Sequence, residues 1–529
     1  MKKALTAIIG ILFCITANSQ EINAVVTRQD KSNNGWYQLS SQPSAVFSGN
    51  DIVKIKVNDE EKESYTISGD NTLTVLFSSV INSKVDESNL TVSHPILIQG
   101  NGILNVSGAM TNTKAENLVI EDGGQLATGS SVQATMSKKI TGSTASKASD
   151  VNWYTISSPL AAANTAFADV KNLIPTTVTA TDYDLYRLDE KNGEWVNSRL
   201  TSGENPDFKT LDKGIGYIYH NTNNTELEFK GEINVSNVTD VSLTLTTDKG
   251  KGYNLIGNPF TQNITLNDIV PQDETALAGG FYVLTNQNTW GTEPSSGTIA
   301  PLQGFLVQAT KDVNITINRP VSGSKGERSE EQNTNIEIVV SNDSYKDNAY
   351  AMLSEGTGLN KISHRNAEAP MLYIPQDGED FAIAFMDENT TVFPVNFKAM
   401  TTGKYNISLN ATDDIRSLVL IDNQTGEKTN MLLEESYPFI GSPADKENRF
   451  MVRLELSHGD DENEQFVYQY GNELIIDGEG TLQVFDVLGR VVISEEVRGQ
   501  RVDISHLITG AYIVRMTGNE VKTQKIIVR

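Results

Sequence analysis

Cysteine is almost missing from this chain. The single residue, Cys14, lies in a short apolar stretch near the start. A chain that loses this stretch has no disulfide, no thiol nucleophile and no thiolate metal ligand. Its domains are then held by apolar burial alone. Histidine is nearly as scarce: His94, His220, His364, His458 and His506 are far apart, without paired-histidine metal spacing. Each reads as an ordinary surface or turn residue. Basic charge is short as well. Lys and Arg number 42 against 67 Asp and Glu, a net charge of −25, which opposes partnership with nucleic acid or anionic lipid. No cofactor is expected. Ca²⁺ is a conceivable ligand for so acidic a surface, but runs such as Asp460-Asp461-Glu462 lack the alternation of a calcium loop. No G-x-S-x-G elbow, P-loop or H-E-x-x-H occurs, so the expectation is a protein that is not an enzyme. Among so many acids an unrecognised carboxylate pair stays open, which keeps a secreted glycan-active hydrolase as the alternative.

After the N-terminus no stretch nears the roughly 18 apolar residues of a membrane-spanning helix. At the N-terminus Lys2 and Lys3 precede the apolar run 4–15, and Ala17 and Ser19 place small residues where a signal peptidase reads. The expected signal is 1–19, with cleavage leaving Gln20 first. Phe13 stands before Cys14 where lipidation needs a small residue.

What is abundant is alternation. Short runs of Val, Ile, Thr, Tyr and Phe recur between Gly, Asn, Asp and Ser, with hairpin pairs such as Asn192-Gly193 and Asp377-Gly378. The fold class is all-β: a multidomain string of small β-modules ending in an Ig-like β-sandwich. Trp36-Tyr37-Gln38-Leu39-Ser40 and Phe47-Ser48-Gly49-Asn50 recur loosely as Tyr65-Thr66-Ile67-Ser68 and Gly69-Asp70-Asn71. Residues 20–86 therefore read as an N-terminal β-module, and such segments resemble N-terminal modules of many Bacteroidetes surface proteins. In 87–145, rungs such as Ile96-Leu97-Ile98 and Leu118-Val119-Ile120 alternate with Gly turns, as in a short β-solenoid. Residues 323–335 are a polar linker, 336–458 a β-sandwich, and 466–529 a final module.

Residues 150–322 contain a duplication, about 151–235 and 250–322. Trp153 to Leu160 matches Tyr253 to Phe260, and three later pairs keep the order. The offset is 100 residues at Ile156/Ile256, 96 at Tyr186/Tyr282, 95 at Trp195/Trp290 and 88 at Gly216/Gly304. Core aromatics and turn prolines explain most of this pattern. A pseudo-twofold ligand groove lined by Trp153, Trp195 and Trp290 is the sharper reading, because aromatic rings stack on sugars.

The end of the chain is the most specific part. Phe485-Asp486-Val487-Leu488-Gly489-Arg490 reads as strand and turn; Asp503, Leu507, Gly510 and Tyr512 mark a hairpin; Lys522 and Lys525 lie on a basic last strand. Four strands are expected. This pattern resembles the type A C-terminal sorting domain of the Bacteroidetes type IX (Por) secretion system. The family's usual Tyr-Pro-Asn-Pro opening is replaced here by Tyr468-Gln469-Tyr470-Gly471-Asn472. The resemblance implies export through the periplasm to the cell surface or medium. It implies the type IX translocon and sortase as partners, with surface lipopolysaccharide as the anchor. The expected function is a non-enzymatic surface protein of adhesin, matrix or glycan-binding type, with a glycan or a host or matrix ligand.

Overall fold

Side chains that alternate in polarity must alternate in exposure on a pleated strand, so such sequences become sheet edges and faces rather than helices. The computed structural model describes residues 24–29, 32–38, 44–48, 52–57, 60–66, 73–144, 151–174, 182–199, 208–320, 334–411, 415–456, 466–518 and 521–528. Among them the elements are strands and three-residue helical turns. The protein is all-β. Two compact units divide at 329/330, and each is described by itself.

In the first unit, Ala24–Gln29 pairs antiparallel with Ser32–Gln38 and Leu73–Ile81. The chain then changes to parallel pairing. Lys84–Glu87, Ile103–Val106 and Gln125–Thr128 form one parallel ladder. Ile96–Ile98 joins Leu73–Ile81 on one side and Leu118–Ile120 on the other in a second. Leu90–Thr91 and Met110–Thr111 form a third. Successive rungs stack Ile96, Ile98, Leu104, Val106, Leu118, Ile120 and Leu126 into one core, each at most 1% exposed. Each such side chain contributes roughly 1.5–3 kcal/mol through burial, which no three-residue strand could recover alone. The turns admit no Cβ where coils touch: one on Gly102 would run into Ile81 O. Pairing therefore crosses the boundary expected at 86/87, because the strand closing the N-terminal module is also the first rung of the ladder. The far edge is closed by Gln133–Ile140, which pairs antiparallel with Thr225–Glu232.

Beyond it lie two four-stranded sheets of one design. The first runs Tyr154–Ile156, Tyr217–Asn221, Tyr183–Asp189, Glu194–Asn197; the second runs Tyr253–Gly257, Gly304–Ala309, Leu277–Leu284, Trp290–Pro294. In each, chain order is first, fourth, second, third. The sheets join through an Ile215–Ile256 bridge and hydrogen bonds from Gly216 N to Leu255 O (3.1 Å) and Gly257 N to Gly214 O (2.9 Å).

In the second unit, residues 334–456 form one 11-stranded sheet that wraps round a single core, including Phe397, Tyr405, Phe439 and Phe450. Residues 466–528 form two facing sheets. One holds Val467–Tyr470, Glu473–Ile476 and Arg501–Asp503; the other holds Val491–Arg498, Glu479–Phe485, Gly510–Thr517 and Val521–Val528. Seven strands replace the four expected. The extra hairpin turns at Gly471, whose φ of +53° suits glycine, within the segment that departs from the family opening.

Candidate functional site: the C-terminal sandwich and the seam between paired sheets

The C-terminal motif residues build turns. Asp486 Oδ1 accepts the N–H groups of Leu488 and Arg490, both at 2.9 Å, while Arg490 Nε donates to Oδ2 at 2.7 Å. These bonds, those from Arg490 first, hold the Asp486 carboxyl below its ordinary range. Gly489 takes a φ of +76° to close the loop. Phe485, half-buried, pairs with Val491 and Ile513. Asp503 closes the next turn by accepting Ser505 N at 2.8 Å. Leu507 packs against the core, and buried Tyr512 donates its hydroxyl to Ile508 O at 2.8 Å. Gly510 pairs with Val528, Lys522 with Met516 and Lys525 with Ile513.

Sequence reasoning missed the apolar residues this scaffold exposes. Val487, Leu488 and Ile508 are each more than 70% exposed, and Ile513 and Ile527 stand on the outer face of the last two strands. The consecutive apolar residues Ile526-Ile527-Val528 were the available signal, since on a strand one parity must face outward.

The same module is seated on the preceding sheet. Val392, Val419, Ile421 and Met451 pack with Tyr468 and Ile475 in one buried cluster. Tyr468 donates its hydroxyl to Glu455 Oε1 at 2.7 Å, and its ring lies 4.7 Å beneath the Arg453 guanidinium. Arg453 in turn pairs with Asp477.

Within the 11-stranded sheet, Asp347 is fully buried with Lys361 Nζ at 2.6 Å and His364 Nε2 at 3.3 Å from Oδ1. Leu372 N donates to its other oxygen at 2.6 Å. Burial pushes the Asp347 carboxyl up, but the Lys361 charge and His364 bring it below its ordinary value. This corrects the expectation of surface histidines. His364 is buried beside a carboxylate, and buried His220 lies against the Trp153 ring at 5.5 Å, where burial pushes its pKa down. His94 is half-buried on Ser79 Oγ at 2.7 Å; His506 is exposed. His458 lies outside the described residues, as do Ala17, Ser19 and Gln20.

The three tryptophans take separate places. Trp153 is 8% exposed, held by Tyr186 and His220; Trp290 is 4% exposed and pairs with Leu284; Trp195 is half-buried and pairs with Leu188. Each hairpin reaches over the seam to the other sheet. From the second, Asn288 Nδ2 donates to Val151 O at 2.6 Å and Oδ1 accepts Trp153 N at 3.2 Å. From the first, buried Glu190 accepts Gly252 N at 2.9 Å and Thr246 N at 2.6 Å. At the centre Gly216 and Gly304 meet, a Cβ on the first falling 3.1 Å from the Cα of the second. Beside this centre opens a groove of about 480 Å³ that includes Trp153 but neither of the other tryptophans. Among the described residues no three His, Cys, Asp or Glu side chains converge as a metal site would require.

Residues 463–529 match the protein family described as the secretion system C-terminal sorting domain. No curated protein and no solved structure matches the chain. The chain therefore carries the sorting domain of a type IX secretion cargo protein. That domain engages the type IX machinery and directs export to the cell surface or medium.

Proposed function

We propose that this chain is a non-enzymatic surface protein of adhesin, matrix or glycan-binding type, brought to the periplasm by the signal at 1–19 and carried outward by residues 463–529. The sorting-domain match carries the route. The parallel ladders of 79–140 read as a short β-solenoid, and the two sheets of equal strand order as an internal duplication. Modules stacked in this way supply rigid surface for recognition. Within the tail, the face bearing Ile513, Ile527 and Lys525 is the surface offered to the secretion machinery, and Bacteroidetes is the bacterial group in which this route operates. Sortase processing and lipopolysaccharide attachment follow on the same reading.

The test compares surface proteomes of cells making the full chain or a chain ending at residue 462. Loss of the shortened chain from the surface, with accumulation in the periplasm, is the expected result. Its undiminished appearance at the surface would overturn the export reading. Whole-cell adhesion to matrix and glycan surfaces, with and without the gene, tests the binding role.

A further inference from the structure

The two paired sheets are alike in strand order and unlike at one position. Leu188 pairs with Trp195 in the first hairpin, and Leu284 pairs with Trp290 in the second. Two residues beyond these leucines stand Glu190 and Asn286, which are therefore counterparts. Glu190 is buried and fills its side of the seam, taking bonds from Thr244 Oγ1 (2.8 Å), Thr246 N (2.6 Å) and Gly252 N (2.9 Å). Asn286 is exposed and lines the open groove of about 480 Å³. Asn288, two residues on, closes the second crossing of the seam as Glu190 closes the first, and the groove opens beside that contact.

The lining of the open half has a definite chemistry. Trp153, Tyr154 and Leu284 provide apolar floor, Trp153 only as a strip because it is 8% exposed. Asn152, Asn286 and Gln303 bring side-chain amides, of which Asn152 already donates to Thr141 O at 3.3 Å. Gln303 Oε1 is already held by Ala300 N at 2.9 Å, which leaves its NH₂ group for a ligand. The two charged residues in the wall, Asp122 and Lys138, neutralise one another at 2.9 Å. A ligand fitted here has adjacent hydroxyls to engage the amides, an apolar C–H face for the floor, and no net charge. The chain's net charge of −25 further disfavours an anion.

We propose that this groove binds an uncharged carbohydrate, at the size of one to three sugar units. The proposal deepens the surface-binding reading and rests on it. The decisive experiment uses the full chain after signal removal, titrated with neutral oligosaccharides of glucose, mannose, galactose and N-acetylglucosamine and followed by calorimetry. Two variants accompany it: Asn286→Ala removes an amide at an exposed position, and Asn286→Trp fills the groove. Saturable binding to at least one oligosaccharide is expected, weakened about tenfold or more by Asn286→Ala and abolished by Asn286→Trp, with unchanged thermal unfolding. Absence of binding to every oligosaccharide overturns the proposal, and so does binding that Asn286→Trp leaves intact. If adhesion of whole cells persists in either case, the surface-binding reading stands and only the groove assignment fails.

Discussion

Arg453 Nη1 and Asp477 Oδ2 meet at 2.7 Å, joining the last strand of the 11-stranded sheet to the sorting domain. Arg453 is 9% exposed and Asp477 39%, and Lys428 stands 3.5 Å from the same carboxylate. Burial pushes the Asp477 carboxyl up, but the Arg453 and Lys428 charges outweigh it and the balance lies below the ordinary value. A lowered carboxyl pKa contributes stability that is complete above the unfolded value, about 3.9, and is lost as pH falls through the folded one. Calorimetry from pH 7 to 5 should show the sheet and the sorting domain unfolding together. Below about pH 4 their transitions should separate. Asp477→Ala should separate them at pH 7, weakening the seat by about 1–3 kcal/mol, between the values for exposed and buried pairs.

Asp347 and Lys361 form a buried pair with side chains 0% and 2% exposed. Removing one partner strands the other charge in the core. Asp347→Ala should lower stability by roughly 3–5 kcal/mol, whereas Asp347→Leu combined with Lys361→Met should restore most of it. Urea unfolding of the single and double variants measures the coupling.

Gly216 sits where the two related sheets touch. A Cβ there would run into Ile256 O and crowd Gly304. Gly216→Ala should destabilise by about 1–3 kcal/mol through overpacking against backbone. Gly403→Ala, where nothing lies within 4 Å, is the matched control and should change the melting temperature little.

Glu190 ties the first hairpin to the opposite sheet. Burial pushes its carboxyl up, but the bonds from Gly252 N, Thr246 and Thr244 outweigh this and hold it below the ordinary value. Its contribution is therefore full above about pH 4.3, the unfolded value, and is lost as pH falls through the lowered folded value. Glu190→Gln should reduce stability at pH 7 and flatten the acid limb of the stability curve. A steep acid limb persisting in the variant would assign that limb to other carboxylates.

Much of the local structure was written in the chain. Alternation along Gly510–Thr517 becomes an alternation of buried and exposed side chains, because the transfer free energy of each side chain acts wherever the residue sits. The turn chemistry of Asp486, Gly489 and Asp503 was legible for the same local reason: short polar side chains bond their own backbone a few residues on. The histidines were misread because their environment is made by distant segments. His364, on the loop between Leu359–Asn360 and Met371–Gln376, meets Asp347 of Lys346–Leu353 only after these strands have folded together.

By itself, then, the sequence determined strand, turn, charge and the sorting motif, since each depends on a few neighbouring residues. Tertiary structure alone decided which strands pair. It carried Leu73–Ile81 into both an antiparallel and a parallel neighbour, and it set seven strands in the sorting domain. It also set Glu190 and Asn288 across the seam and left a groove open beside Asn286. Register and contact between distant segments depend on shape complementarity summed over many residues, and no single stretch of the chain records that sum.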